Sequence, residues 1–165
     1  MSARVIYTGT RKPPSVPGVE LIHIPALRRK CLSPDLMSLP KEACVAVFFS
    51  QNAVDCAIES GVLARLKLEG VVAVGDSTAA LLESVVGVQV YTPSAHGYEG
   101  VVEFLKSSKV LSGKLYLSFE LDGGPNTLIG DIDRVVVIPI YSTGVANREV
   151  FESAVQAASA DWIVF

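Results

Sequence analysis

The sequence predicts an α/β protein built on a doubly wound parallel sheet, and three observations carry that expectation. Short β-branched runs alternate with helical patterns through almost the whole chain, in the order β-α-β-α-β. Several of those runs, such as "CVAVFF" (44–49) and "VVAV" (71–74), are apolar at consecutive positions rather than alternating. Strands covered on both faces read that way. Finally, 165 residues that are 50% hydrophobic and 19% charged can bury a core and are too apolar to stay disordered.

Taken in order, the strand candidates begin with "RVIYTG" (4–9) and "VELIHI" (19–24). The link between them, "GTRKPPSVPG" (9–18), carries three prolines and no helical periodicity. A parallel crossover normally needs about a dozen residues and a helix, so this one is short and irregular. After "CVAVFF", residues 52–60 place Ala53, Val54, Ala57 and Ile58 on one helical face. "VVAV" leads into a helix over 77–86, with Ser77 and Thr78 able to cap its first turn and Gly87 expected as its C-cap. "VQVYT" (88–92) is followed by a helix over 98–107 with Val101, Val102, Phe104 and Leu105 on one side. "KLYLSF" (114–119) and "RVVVIPIY" (134–141) are the next strands. A helix over 147–158 starts at Asn147 and carries Val150, Phe151, Ala154, Val155 and Ala158. The last candidate, "DWIVF" (161–165), brings the sequence to its end inside a strand, as expected of a clipped or naturally short chain.

Charge is unevenly spread. The first 40 residues hold six cations (Arg4, Arg11, Lys12, Arg28, Arg29, Lys30) against Glu20 and Asp35, a balance of +4 that leaves −7 for the rest. An acidic protein with one basic end is a poor nucleic-acid binder, although that end suits a small polyanion. The simpler reading is a solvated basic loop. The three cysteines, Cys31, Cys44 and Cys56, are spaced as neither a disulfide framework nor a metal site. Cys44 and Cys56 read as core thiols. His23 and His96 fall in no metal motif. No apolar stretch reaches the roughly 18 residues of a membrane span, and no signal-peptide core is present, so the expected location is the cytoplasm.

In doubly wound sheets, ligands sit at loops leading from strand ends into helices. Three such loops stand out: "FFSQNAV" (48–54), "AVGDSTAAL" (73–81) and "TPSAHGYEGV" (92–101). Each has a small or hydroxyl residue where free backbone N–H groups favour an anion. Taken singly, Ser50, Asp76, Ser77 and Thr78 read more simply as helix caps. No nucleotide-binding glycine motif accompanies them.

Together, in this order, the segments resemble the uroporphyrinogen-III synthase family. "VAVFFSQNAVDCAI" is similar to that family's (I/V)FTSxNAV turn, "VVAVGDSTAALLES" to its VAAVGxxTAxAL segment, and "TPSAHGYEGVVEFL" to the following EGLLxxL stretch. "GKLYLSF", "RVVVIPIYST", "RVIYTGT" and "ELIHIPAL" match further strands of the family in shape. The resemblance implies a flavodoxin-like parallel-sheet domain and an incomplete second α/β domain, joined by a two-stranded connector. Mapped onto the chain, residues 1–34 and 142–165 would form the first domain, which is the discontinuous and incomplete one, and 35–141 the second α/β domain.

The resemblance also implies an activity. Family members convert hydroxymethylbilane, a linear tetrapyrrole with acetate and propionate arms, to uroporphyrinogen III by losing water, closing the ring and inverting the last pyrrole. No cofactor or metal is implied. The implied substrate contacts are Ser50, Gln51, Asn52, Gly75, Asp76, Ser77, Thr78 and Thr8, with Tyr141 as proton donor or positioning hydrogen bond. The chain departs from the family at "LSFELDGGP", where Glu120 and Asp122 replace an arginine-bearing turn, and after Tyr141, where Ser142 replaces an arginine. The alternative is a weak or inactive short homologue serving as a tetrapyrrole-binding or interaction module. An incomplete first domain predicts edges that either pair with another chain, by self-association, or order poorly.

Overall fold

The computed structural model describes residues 2–95, 97–124 and 128–165. His96 and Pro125, the latter closing "LSFELDGGP", lie outside the described residues. The chain divides into two compact units, Met1–Lys30 with Thr143–Phe165, and Cys31–Ser142.

The Cys31–Ser142 unit is the doubly wound sheet. Its strands are β4 (Ala43–Phe48), β5 (Lys67–Ala73), β6 (Val90–Tyr91), β7 (Leu115–Leu121) and β8 (Val135–Val145), ordered β8-β7-β4-β5-β6 and all parallel. The centre is β4, whose consecutive apolar residues are explained by its two covered faces. Cys44, Ala46 and Phe48 pack with α1 (Gln51–Glu59) and α2 (Asp76–Glu83). Val45 and Val47 pack on the other face with Val101 and Leu105 of α3 (Gly97–Ser107). Phe48 and Phe119 stack with ring centroids 4.7 Å apart. At about 25 cal/mol per Å² of apolar surface removed from water, these two layers are the main favourable term holding the unit.

The other unit has a three-stranded parallel sheet in the order β2-β1-β9, from Val19–His23, Ala3–Tyr7 and Trp162–Val164. The proline-rich link indeed crosses from β1 to β2 without a helix. Its helix α4 (Arg148–Ala158) is capped by Asn147, which accepts from the Val150 N–H at 3.2 Å. None of the residues of α4 is buried. His23 is structural, its Nε2 donating to the Gly9 carbonyl at 2.7 Å.

The structure corrects four expectations. A strand, β3 (Leu27–Cys31), stands where a basic loop was expected, so Arg28, Arg29 and Lys30 lie on an extended segment neighbouring β8. "LRRKC" has no apolar run to announce it; backbone pairing makes it a strand, with Leu32 N–H donating to Ile140 and Ala146 N–H to Ala26. Second, Cys31 and Cys56 form a disulfide, Cα–Cα 5.1 Å, rather than Cys56 being a core thiol. Sequence spacing could not see that the end of β3 meets α1. Cys44 stays free and buried, its thiol pushed up to about 11 by desolvation and then by Glu42 and Glu69. Third, α2 is entered through Gly75 with no side-chain cap, instead of being capped by Ser77 and Thr78. Fourth, α2 ends at Ser84, not Gly87. Ser84 Oγ donates back to the Leu81 carbonyl at 2.7 Å, a local bond that competes with continuing the helix.

No helix among the described residues is long and apolar enough to cross a membrane.

Candidate functional site

In the order β8-β7-β4-β5-β6, the chain winds one way from β4 through β5 to β6, then returns to β7 on the other side of β4. Loops leaving β4 and β7 therefore diverge, and a crevice opens between them at the carboxyl ends of the strands. A cavity of about 290 Å³ lies there, lined by Phe49, Ser50, Tyr98, Phe119, Glu120, Leu121, Gly124 and Tyr141.

Each polar side chain in it is placed by a local rule. Ser50 follows β4 in extended conformation (φ −152°, ψ 153°) and is the N-cap of α1, its Oγ accepting from the Ala53 N–H at 3.2 Å. Ser50 Oγ also lies 3.2 Å from the Tyr141 hydroxyl. A serine hydroxyl has one proton to give. With a lone pair already engaged by Ala53, Ser50 can still donate to Tyr141. That arrangement leaves the phenolic proton of Tyr141 for a ligand.

Tyr141 is aimed by a bulge. Along the β7–β8 ladder, Glu120 pairs with Pro139 but Leu121 with Tyr141, so Ile140 is an extra residue on β8. Bulges bend a strand and re-aim its side chains, and they tolerate proline, which cannot donate to a ladder. The proline in "VIPIY" was thus a readable sign that the strand is irregular just before Tyr141. The Asp122 N–H then donates to the Tyr141 carbonyl at 2.8 Å, closing the ladder.

In the sequence Glu120 stood out only as negative charge where the family has an arginine-bearing turn. It is in fact 8% exposed, and Ser118 Oγ donates to its Oε1 at 2.5 Å. Two polar residues two apart on "LYLSFEL" share one face of a strand otherwise apolar, and that was the signal for it. Tyr98, at the start of α3, was also missed. Its hydroxyl donates to the Asp131 carboxylate. That bond, with desolvation and the charges of Asp131 and Glu99, pushes the phenol up to about 12.

Of the expected site residues, the structure brings Ser50 and Tyr141 together. Gln51 and Asn52 open α1 beside them, Asn52 with its Oδ1 buried. Gly75, Asp76, Ser77 and Thr78 form the start of α2, after β5, and do not line this cavity. Gly75 has φ +86° and ψ 149°, a conformation that strains other residues, while Thr78 is buried beneath the turn. Thr8 belongs to the other unit, where its hydroxyl is committed to the Val164 carbonyl at 3.0 Å.

Among the described residues, Cys31, Cys56 and Glu59 bring three potential metal-ligand atoms within 4.8 Å of one another. Both sulfurs are bonded to each other, so they do not present thiolates.

Compared with known families, the chain matches the family model described as uroporphyrinogen-III synthase HemD over residues 13–165. No curated protein matches it.

Proposed function

The chain belongs to the uroporphyrinogen-III synthase family, and from that premise we propose that it cyclises hydroxymethylbilane to uroporphyrinogen III. The observation that carries the reading is the Ser50–Tyr141 hydrogen bond inside a switch-point cavity. The chemistry asks for a proton donor at the departing hydroxyl. The carbon–oxygen bond breaks with its electron pair on oxygen, the donor's proton turns hydroxide into water, and the pyrrole nitrogen's electrons delocalise the cation left behind. Either hydroxyl can donate in the Ser50–Tyr141 pair; we assign that role to Ser50, which leaves the Tyr141 phenolic proton for this step.

The rest of the work is positioning. Closing a ring between the ends of a flexible chain gains most from holding those ends together. Ser50 serves Tyr141 inside the cavity, while the substrate's carboxylate arms suit the α1 start at Gln51 and Asn52 and the α2 start at Gly75–Thr78, none of which lines it. First-turn N–H groups there favour negative charge without a cluster of lysines. No cofactor is part of this reading. A coupled assay from hydroxymethylbilane tests it: the type III isomer should accumulate, and accumulation of type I alone, as in the spontaneous reaction, would refute it.

One observation favours a second reading, a tetrapyrrole-binding module without isomer control. In the smaller unit Trp162 is 70% and Phe165 90% exposed, which suits an interaction surface better than an enzyme wall. Under this reading the chain self-associates through that unit and binds the linear tetrapyrrole while yielding only type I. Elution at monomer mass in gel filtration would remove the self-association.

A further inference from the structure

Glu120 is the least expected residue in the cavity. A carboxylate so buried is unfavourable unless its oxygens are hydrogen-bonded. Among the described residues, Ser118 supplies one such bond, against the roughly four lone-pair positions a carboxylate offers. No lysine or arginine among the described residues lines the cavity to neutralise it, and the rest of that lining is Phe49, Phe119, Leu121, Gly124 and the hydroxyl-bearing Ser50, Tyr98 and Tyr141. Such a space is hostile to an acid arm, since a second carboxylate would face the first at low dielectric. It welcomes a flat ring that presents an N–H.

We propose that Glu120 selects a pyrrole ring: its free carboxylate oxygen accepts the N–H of one ring of the substrate and keeps that ring's acetate and propionate arms outside the cavity. This rests on the tetrapyrrole reading above. The volume agrees, because about 290 Å³ lies at the lower edge of the roughly 300–1,000 Å³ of drug-sized sites, room for one substituted ring and not for four. The contact also strengthens during reaction. When the ring's hydroxymethyl carbon loses its oxygen, positive charge spreads onto the ring nitrogen whose N–H Glu120 holds. Glu120 itself neither gives nor takes a proton. A bond that tightens as charge develops lowers the barrier rather than merely the Michaelis constant.

The test has a binding arm and a kinetic arm. A monopyrrole with one acetate and one propionate arm, and its N-methyl counterpart, are titrated calorimetrically against wild type, Glu120→Gln and Glu120→Ala, all checked for equal melting temperature. Wild type should prefer the N–H pyrrole by about tenfold or more, Glu120→Ala should lose the preference, and Glu120→Gln should keep part of it through its amide oxygen. Equal affinity for both pyrroles in wild type, no binding of either, or a preference that survives in Glu120→Ala overturns the proposal. With hydroxymethylbilane, Glu120→Gln should lower kcat about tenfold or more with KM little changed; unchanged kcat overturns the charge contribution. Should wild type give only the type I isomer, the synthase reading falls while the pyrrole titration still decides the role of Glu120.

Discussion

The two units are both α/β, yet they differ in how much they bury. In Cys31–Ser142, strands β4 and β7 are covered on both faces, and Phe48, Phe119, Leu117, Val45 and Val47 are wholly inaccessible. In the other unit, among the described residues, only Ile6, Thr8 and Ala146 are buried. There α4 has no fully buried residue, Phe151, Ala154, Val155 and Ala158 being only half-buried, and Val145, Val150 and Trp162 are exposed. The lesson is that forming the elements is not what stabilises a sheet domain. Covering its faces does, since conformational entropy must be offset by apolar burial. The chemistry we assign sits in the unit that has done so, which suits a site that must hold its groups to fractions of an ångström.

The largest effect should come from the stacked pair at the centre. Phe48→Ala is expected to destabilise by about 3–5 kcal/mol in denaturant unfolding, whereas Trp162→Ala should stay within about 0.5 kcal/mol. A large loss at Trp162 would break the comparison by revealing a covered face in solution. Next in size is the Cys31–Cys56 disulfide, which closes a loop of 25 residues in the larger unit. In the chain-entropy picture, reducing it should lower stability by about 3 kcal/mol, read as a shift of the unfolding midpoint. Glycines sharpen the contrast further. A Cβ at Gly100 would lie 2.1 Å from the Ala95 carbonyl oxygen, so Gly100→Ala should destabilise by about 2 kcal/mol. At Gly144, in the smaller unit, a Cβ meets nothing within 4 Å, and Gly144→Ala should be silent in the same assay.

The smallest effect is electrostatic. Tyr98 is raised from 10 to about 12, chiefly by its bond to Asp131. A group raised on folding contributes stability that is whole below its unfolded value and is lost as pH climbs through the folded one. Ultraviolet titration of the native protein should therefore show Tyr98 ionising only at about pH 12, beside Tyr116, which burial also raises, and Asp131→Asn should bring down Tyr98 alone.

Much of this architecture was legible in the sequence, for identifiable reasons. Apolar runs such as "CVAVFF" announce doubly covered strands because burial on both faces removes the alternation. Helix starts at Ser50 and Asn147 were readable because capping is local chemistry, and both residues do cap. The cap assigned to Ser77 and Thr78 failed because a glycine in an unusual conformation starts the helix instead. What stayed hidden was non-local. Strand β3 exists through backbone pairing that charged side chains cannot advertise, and the Cys31–Cys56 bond depends on where that strand ends. In the site, the family resemblance named Ser50 and Tyr141 separately, but neither it nor spacing announced that their hydroxyls meet. Glu120 was seen, but its burial inverts the meaning of its charge.

The most direct measurement of the central claim, that chemistry resides at the carboxyl ends of β4, β7 and β8, is the isomer ratio formed from hydroxymethylbilane by wild type and Tyr141→Phe. With the fold intact by circular dichroism, removing the phenolic proton should cut the rate of type III formation by about 100-fold. Equal type III production by the two proteins would contradict the account and place the proton donor elsewhere.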